Sequence, residues 1–299
     1  MNNLYEEITN AIIDQLEKGH IPWRKPWIGT GSAISHETGK PYSMLNQLLK
    51  RPGEYITFLQ VQKEGGRVKK GEKASHVYFW KMLRKPELDD DGNPILDAEG
   101  KQRMKTIPIL KCYSVFHIDQ CEGIKPKFDI RPAVPADPDA AAEKVLTDYV
   151  QRERIRLDTT GSGQAYYAPL FDMIVLPNIS QYSSAAEYYS TAFHEAVHST
   201  GHKRRLNRFP DDGKCAAFGS EDYSKEELVA EIGAACLVHK QGLETPESFK
   251  NSAAYIQSWL KKLRDDKNMI IGAASKAEKA VKFILNEQAN EAPAEATEA

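Results

Sequence analysis

The residues best suited to chemistry are His194-Glu195-Ala196-Val197-His198, an H-E-x-x-H run inside an apolar-periodic segment, 186–200. On a helix, side chains four apart share a face, so both imidazoles can reach one zinc ion. Glu195 lies beside them, where it can serve as general base toward a water held by that ion. A purely structural zinc would not require this glutamate. The parts point to hydrolysis of a peptide or another amide, with Glu195 returning the proton to the leaving amine.

Two histidines leave a catalytic zinc short of protein ligands, since such sites usually have three plus water. Glu227 is the candidate third ligand. It belongs to Glu226-Glu227-Leu228-Val229-Ala230-Glu231, 29 residues past His198, within a helical pattern over 225–241. Glu227 and Glu231 are four apart and share a face. One could ligate the metal while the other accepts the distal N–H of a ligand histidine and fixes its tautomer. Glu226 points about a quarter-turn away and reads as solvated. The plainer reading of Glu226-Glu227 is a solvated charge run.

Other ligands fit less well. The longer H-E-x-x-H-x-x-G-x-x-H pattern needs its third histidine where Arg204 stands. Gly201 is expected to end the helix before His202. His239 lies about 18 Å beyond Glu227 along a helix. Tyr182, Tyr188, Tyr189 and Tyr223 are equal candidates for stabilising an oxyanion.

These residues must be positioned by the surrounding elements. Leu4, Ile8, Ile12, Ile13 and Leu16 recur at helical spacing, with Gly19 as a stop signal. A Pro-interrupted segment, 21–27, leads to a glycine-rich turn and a short helix over 43–50. Tyr55-Ile56-Thr57-Phe58 has strand composition, as do 75–82 and 107–118, with an exposed loop tip at 89–94. Four prolines between 125 and 139 mark a linker. Beyond it come a helix over 140–153, strands at 155–157, 165–167 and 172–176, the motif helix, and helices over 225–241, 248–263 and 274–286. The pattern predicts an α+β protein of two domains. Residues 1–128 form a small mixed α/β nucleic-acid-binding domain, 129–139 a linker, 140–286 a mostly helical domain and 287–299 a disordered tail.

The 299 residues are 41% hydrophobic and 27% charged, with no apolar run long enough to span a bilayer and an acidic N-terminus unlike a secretory signal. Four cysteines without C-x-x-C spacing read as reduced thiols of a cytoplasmic protein. The net charge of -2 hides an asymmetry. Residues 1–128 carry 20 Lys/Arg against 16 Asp/Glu, while 129–299 carry 20 against 26. A basic half bearing Trp23, Arg24, Lys25, Trp27, Arg67, Lys69, Lys70 and Lys73 suits single-stranded nucleic acid, where cations track phosphates and aromatic faces stack on bases. Trp23 and Trp27 are expected to be exposed, and Phe58 and Phe79 to be core.

As a whole the chain resembles the ArdC-type antirestriction proteins, typically encoded on conjugative plasmids. The likeness rests on Gly19-x-x-Pro22-Trp23 with Pro26-Trp27, on Asn46-Gln47-Leu48-Leu49, on Lys70-Gly71-Glu72-Lys73 and on Val115-Phe116-x-x-x-Gln120. Further on it rests on the run from His194 to Gly201 and on Glu226 to Ile232. The resemblance implies an N-terminal domain that binds single-stranded DNA and a C-terminal zincin-like metallopeptidase domain holding one zinc or similar divalent ion. It also implies protection of incoming plasmid DNA from host restriction during conjugation, with a host restriction component or another protein substrate as a further partner. The second domain is similar to gluzincins, which take their third ligand from a glutamate on a separate helix, followed four positions later by an acidic residue. Glu227 and Glu231 match; the usual preceding asparagine is Glu226 here. Two rivals are a strand-coating protein with an idle metal site and a regulatory zinc peptidase whose basic half docks a protein.

Overall fold

The computed structural model describes residues 4–24, 31–89, 91–130, 135–160, 163–209, 220–243 and 253–287. Two compact units emerge. One is assembled from two separated segments, Met1–Glu54 and Lys127–Asn290, and the other is built from residues 55–126. Of the expected linker, 131–134 lie outside the described residues, as do Cys215 and all but the first residue of the expected tail.

The first unit begins with α1 (Leu4–Glu17), whose Ile8, Ile12 and Leu16 are buried at the expected helical spacing. Gly19, at φ 79°, carries the chain out of the helix in a conformation that costs other residues energy. A 3-10 turn, Pro22–Arg24, then seats Trp23. The expectation of an exposed Trp23 is overturned: its side chain is 0% exposed. It packs edge-on against Trp259 at 5.8 Å, and its indole N–H reaches the Tyr255 hydroxyl at 3.4 Å. Proline at the head of the turn fixes the backbone so that the indole faces the core. The Arg24 side chain, Lys25 and Trp27 lie outside the described residues.

After β1 (Ala33–Ser35) and α2 (Met44–Leu49), β2 (Gly53–Ile56) carries the chain across the boundary. Glu54, 1% exposed, sits at this crossing. One of its carboxylate oxygens accepts the backbone N–H groups of Lys127 and Phe128, both at 2.8 Å, and the other lies 2.5 Å from Nδ1 of the buried His36.

In the second unit the strand-like run Tyr55 to Phe58 stops at Ile56. Thr57 caps α3 (Phe58–Lys63) through a capping box with Gln60, and Phe58 is 50% exposed rather than core. β3 (Arg67–Val68) follows, then the long hairpin of β4 (Ser75–Pro86) and β5 (Met104–His117), and then β6 (Cys121–Glu122). β4 and β5 pair antiparallel without a break from Ser75↔Val115 to Pro86↔Met104. Phe79 is half-buried on this hairpin, stacked on Tyr113. Ile56, Val61 and Cys121 form the unit's small core with Val68, Phe116, Ile118 and Ile124.

Back in the first unit, α4 (Pro138–Glu153) opens on the Asp137 cap, and three short strands form a sheet of order β7-β9-β8. These are β7 (Arg156–Asp158), β8 (Tyr166–Ala168) and β9 (Met173–Val175); β7 pairs parallel and β8 antiparallel with β9. Next come α5 (Ala185–Ser199), α6 (Glu221–Lys240), α7 (Ala253–Asp265) and α8 (Met269–Ile284). α5 buries Ala192, Phe193, Ala196 and Val197 against α6, which in turn packs on α8. Gly233 permits the close approach: a Cβ there would lie 2.8 Å from Val197 Cγ2. No helix among the described residues is long and apolar enough to cross a membrane.

Candidate metal centre

Ser184 caps α5 by accepting the backbone N–H of Glu187, and the helix runs to Ser199 before Gly201, as expected. His194 and His198 therefore sit one turn apart on one face. Ser220 caps α6, and Glu227 faces the two histidines from the second turn of that helix. The ligand atoms converge. His194 Nε2 and His198 Nε2 are 3.0 Å apart, and the Glu227 carboxylate oxygens lie 3.5 and 3.4 Å from them. Donors about 2.05 Å from a tetrahedral ion are about 3.3 Å from one another, so the spacing fits a metal. His194, His198 and Glu227 would hold it.

Neighbouring charges set the ionisation of these groups. Burial favours neutral Glu227, yet His194 and His198 hold its carboxyl well below the usual range. Burial alone would pull His198 down, but hydrogen bonds to Glu226 and Glu227 push it up to about 10. Glu195 is 7% exposed and lines the same cleft, a cavity of about 660 Å³.

Glu226 is not the solvated residue expected from its helical position. Its side chain is 17% exposed, and one oxygen lies 3.5 Å from His198 Nδ1. Arg208, 7% exposed, grips the same carboxylate at 3.1 and 2.5 Å. Burial would raise the Glu226 carboxyl; His198 and Arg208 lower it overall. Arg208 also donates to the Thr200 hydroxyl at 2.7 Å and the Val197 carbonyl at 2.9 Å. Sequence reasoning missed Arg208, whose only signal was its place in a basic loop. Glu231 is half-buried one turn beyond Glu227 and does not line the cleft.

Arg204 is exposed and bonds the Glu153 carbonyl and Asp172 instead of occupying a ligand position. Of the four tyrosines considered, Tyr223 lines the cleft. Tyr188 and Tyr189 are buried, and the Tyr189 hydroxyl donates to Glu143. Behind the cleft, the buried Arg205 guanidinium bonds Asp172, the Tyr167 hydroxyl and the Ser199 carbonyl.

The described residues expected to contact nucleic acid are divided between the two units. Trp23 belongs to the first unit's core, whereas Arg67, Lys69, Lys70 and Lys73 lie exposed on the second unit. Arg67 pairs with Glu122, and the Lys69 ammonium donates to the Asp119 carbonyl at 2.7 Å.

A family model described as the N-terminal domain of anti-restriction factor ArdC matches residues 2–116, and one described as a zincin-like metallopeptidase matches 144–276. Two proteins named DNA primase TraC from Escherichia coli are 33% and 34% identical over 94% of this chain. The chain spans only 20% and 27% of their lengths. The protein y4eC of Sinorhizobium fredii is 30% identical, with 96% of this chain and 93% of that protein aligned. Two crystal structures of the antirestriction ArdC protein from plasmid R388 share the fold. The metal-free form is 35% identical at a TM-score of 0.67, covering 94% of this chain and 96% of its own. The Mn(II)-bound form is 34% identical at 0.69, covering 96% and 99%. With its mixed α/β architecture, ArdC-type N-terminal region and zincin-like C-terminal domain, the chain belongs to the ArdC antirestriction family.

Proposed function

We propose that this protein binds single-stranded DNA, protects incoming plasmid DNA from host restriction during conjugation in the cytoplasm, and carries a zinc-dependent peptide hydrolase centre. The observation that carries the hydrolase half is the convergence of His194, His198 and Glu227 beside Glu195 in one cleft. The protection half is supported by family membership, and strand binding by the basic, aromatic composition of the N-terminal half.

A bound divalent ion supplies Lewis acidity and lowers the pKa of a coordinated water. With an ion held by His194, His198 and Glu227, Glu195 would be the base that accepts a proton from the attacking water and returns it to the leaving nitrogen. Glu226 holds His198 by its distal nitrogen, and Glu231 serves His194 from one turn along α6. Tyr223, one turn before Glu227, steadies the oxyanion. β8 is an edge strand whose Tyr166 and Tyr167 line the cleft, so an extended peptide adds along it.

The test is Glu195→Ala, scored three ways: metal content, hydrolysis of a protein substrate, and plasmid survival in a restricting host. Retained metal with lost hydrolysis and lost protection is expected. Hydrolysis retained by the variant would sink the catalytic half, and unchanged protection with lost hydrolysis would assign protection to strand coating instead.

A further inference from the structure

The paired strands β4 and β5 carry five cations, Lys81, Arg84, Lys85, Lys105 and Lys111, and no acid. The register decides where they point. Side chains two apart along a strand, and those directly opposite across the pair, share a face. Phe79↔Lys111, Lys81↔Ile109, Leu83↔Ile107 and Lys85↔Lys105 therefore form one face, and Tyr113, opposite Val77, belongs to it. Four of the five cations lie there. Arg84 projects from the other side with Trp80 and Met82.

This face has the composition of a strand-binding platform. All four lysines are exposed, and Tyr113 is 48% exposed. The Phe79 and Tyr113 rings are stacked at 4.7 Å with planes 7° apart, each covering one face of the other, so a base would stack on the outer face of the exposed Tyr113 ring. Leu83, Ile107 and Ile109 are half-buried between the lysines, making an apolar floor with a cationic rim. Phe79 to Lys85 extends about 20 Å. Beyond Lys85 acids outnumber cations: Arg103 pairs with Glu87 and Lys101 with Glu99, while Asp89, Asp91 and Asp97 add negative charge that bounds the platform at that end.

We propose that this face of the β4–β5 hairpin is the surface on which single-stranded DNA lies. Bases stack on the Phe79–Tyr113 pair and phosphates track Lys111, Lys81, Lys85 and Lys105. The assignment rests on the strand-binding half of the proposed function and adds its location, apart from the basic turn at Arg67 to Lys73.

The experiment is fluorescence anisotropy of labelled oligo-dT with the full-length protein across a salt series, each variant first matched to the wild type in thermal unfolding. Lys81→Glu with Lys111→Glu should weaken binding at least tenfold and reduce the salt slope by about 1.4, the loss of two phosphate contacts. Phe79→Ala with Tyr113→Ala should weaken it at least about fivefold and leave the salt slope unchanged, since stacking releases no counterions. Arg84→Glu, on the opposite face, should cost less than a third of the effect of Lys81→Glu. Wild-type affinity in both hairpin variants, or equal loss with Arg84→Glu, overturns the assignment while leaving strand binding in place. No oligo-dT binding by the wild type overturns strand binding itself.

Discussion

Arg208 holds Glu226 through two nitrogens while its other contacts reach the Val197 carbonyl and the Thr200 hydroxyl at the end of α5. One guanidinium thus ties the helix bearing both histidines to the helix bearing Glu227. It also offsets the charge that Glu226 brings to within 3.5 Å of His198. A lone carboxylate so placed, 17% exposed, would be costly without it.

Arg208→Ala is therefore expected to lower affinity for Zn(II) or Mn(II) by about 10- to 100-fold, read by chelator competition. It should also destabilise the metal-free protein by about 3 kcal/mol, because Glu226 loses its partner. Arg208→Lys restores the charge but not the fork, so its metal affinity should fall between the two. Equal affinity in all three proteins would show that the clamp does not position the ligands.

Trp23→Ala should destabilise the protein by about 3–5 kcal/mol in chemical denaturation, the usual result of emptying a large buried aromatic site. If Trp23 instead serves nucleic acid, the variant would keep its stability and lose oligo-dT affinity. The burial against Trp259 and Tyr255 predicts the opposite pattern.

Asp172 sets an acid limit on stability. Burial raises its carboxyl, but the Arg205 and Tyr167 hydrogen bonds prevail and hold it below the usual range. A depressed folded pKa stabilises the protein above the unfolded value of about 3.9 and loses that contribution as pH falls through the folded pKa. Asp172→Asn should be markedly less stable than the wild type at pH 7, since the Arg205 side chain is 0% exposed and loses its counter-ion. The gap should narrow below about pH 4. Thermal unfolding across that range tests this; a gap constant with pH would assign the effect to packing.

Removing Glu227 should abolish most metal binding, whereas Glu231→Ala should weaken it by no more than about tenfold to a hundredfold. Dialysis against a metal buffer distinguishes them. A Glu227→Ala protein that retains wild-type affinity would mean that the third ligand lies elsewhere.

The site was more legible in the sequence than the surface around it. His194, Glu195 and His198 follow from helical periodicity, and Glu227 follows from the ligand count a catalytic zinc needs. Both are local or stoichiometric arguments. Glu226 escaped because its exposure depends on Arg208, 18 residues away across a loop, and pattern reading sees only its own helix. Trp23 and Phe58 were misplaced in opposite directions for a related reason. Trp23 meets residues 232 and 236 positions further along the chain, and Phe58 follows a cap that turns a strand-like run into a helix. The hairpin face was hidden because its lysines and aromatics gather only once the register of β4 against β5 is known.

The crossing held by Glu54 has one more consequence. The chain leaves the first unit at Glu54 and re-enters it at Lys127, whose backbone N–H is bonded to the Glu54 carboxylate at 2.8 Å. Topologically, residues 55–126 are a cassette threaded between two parts of one core. The first 54 residues complete their packing only with helices encoded far downstream, α7 and α8 among them. A cut at residue 128 would therefore part residues 1–54 from the helices that pack on them and leave Trp23 without Trp259 and Tyr255. Excision between the adjacent ends at 54 and 127 is the division that respects the architecture.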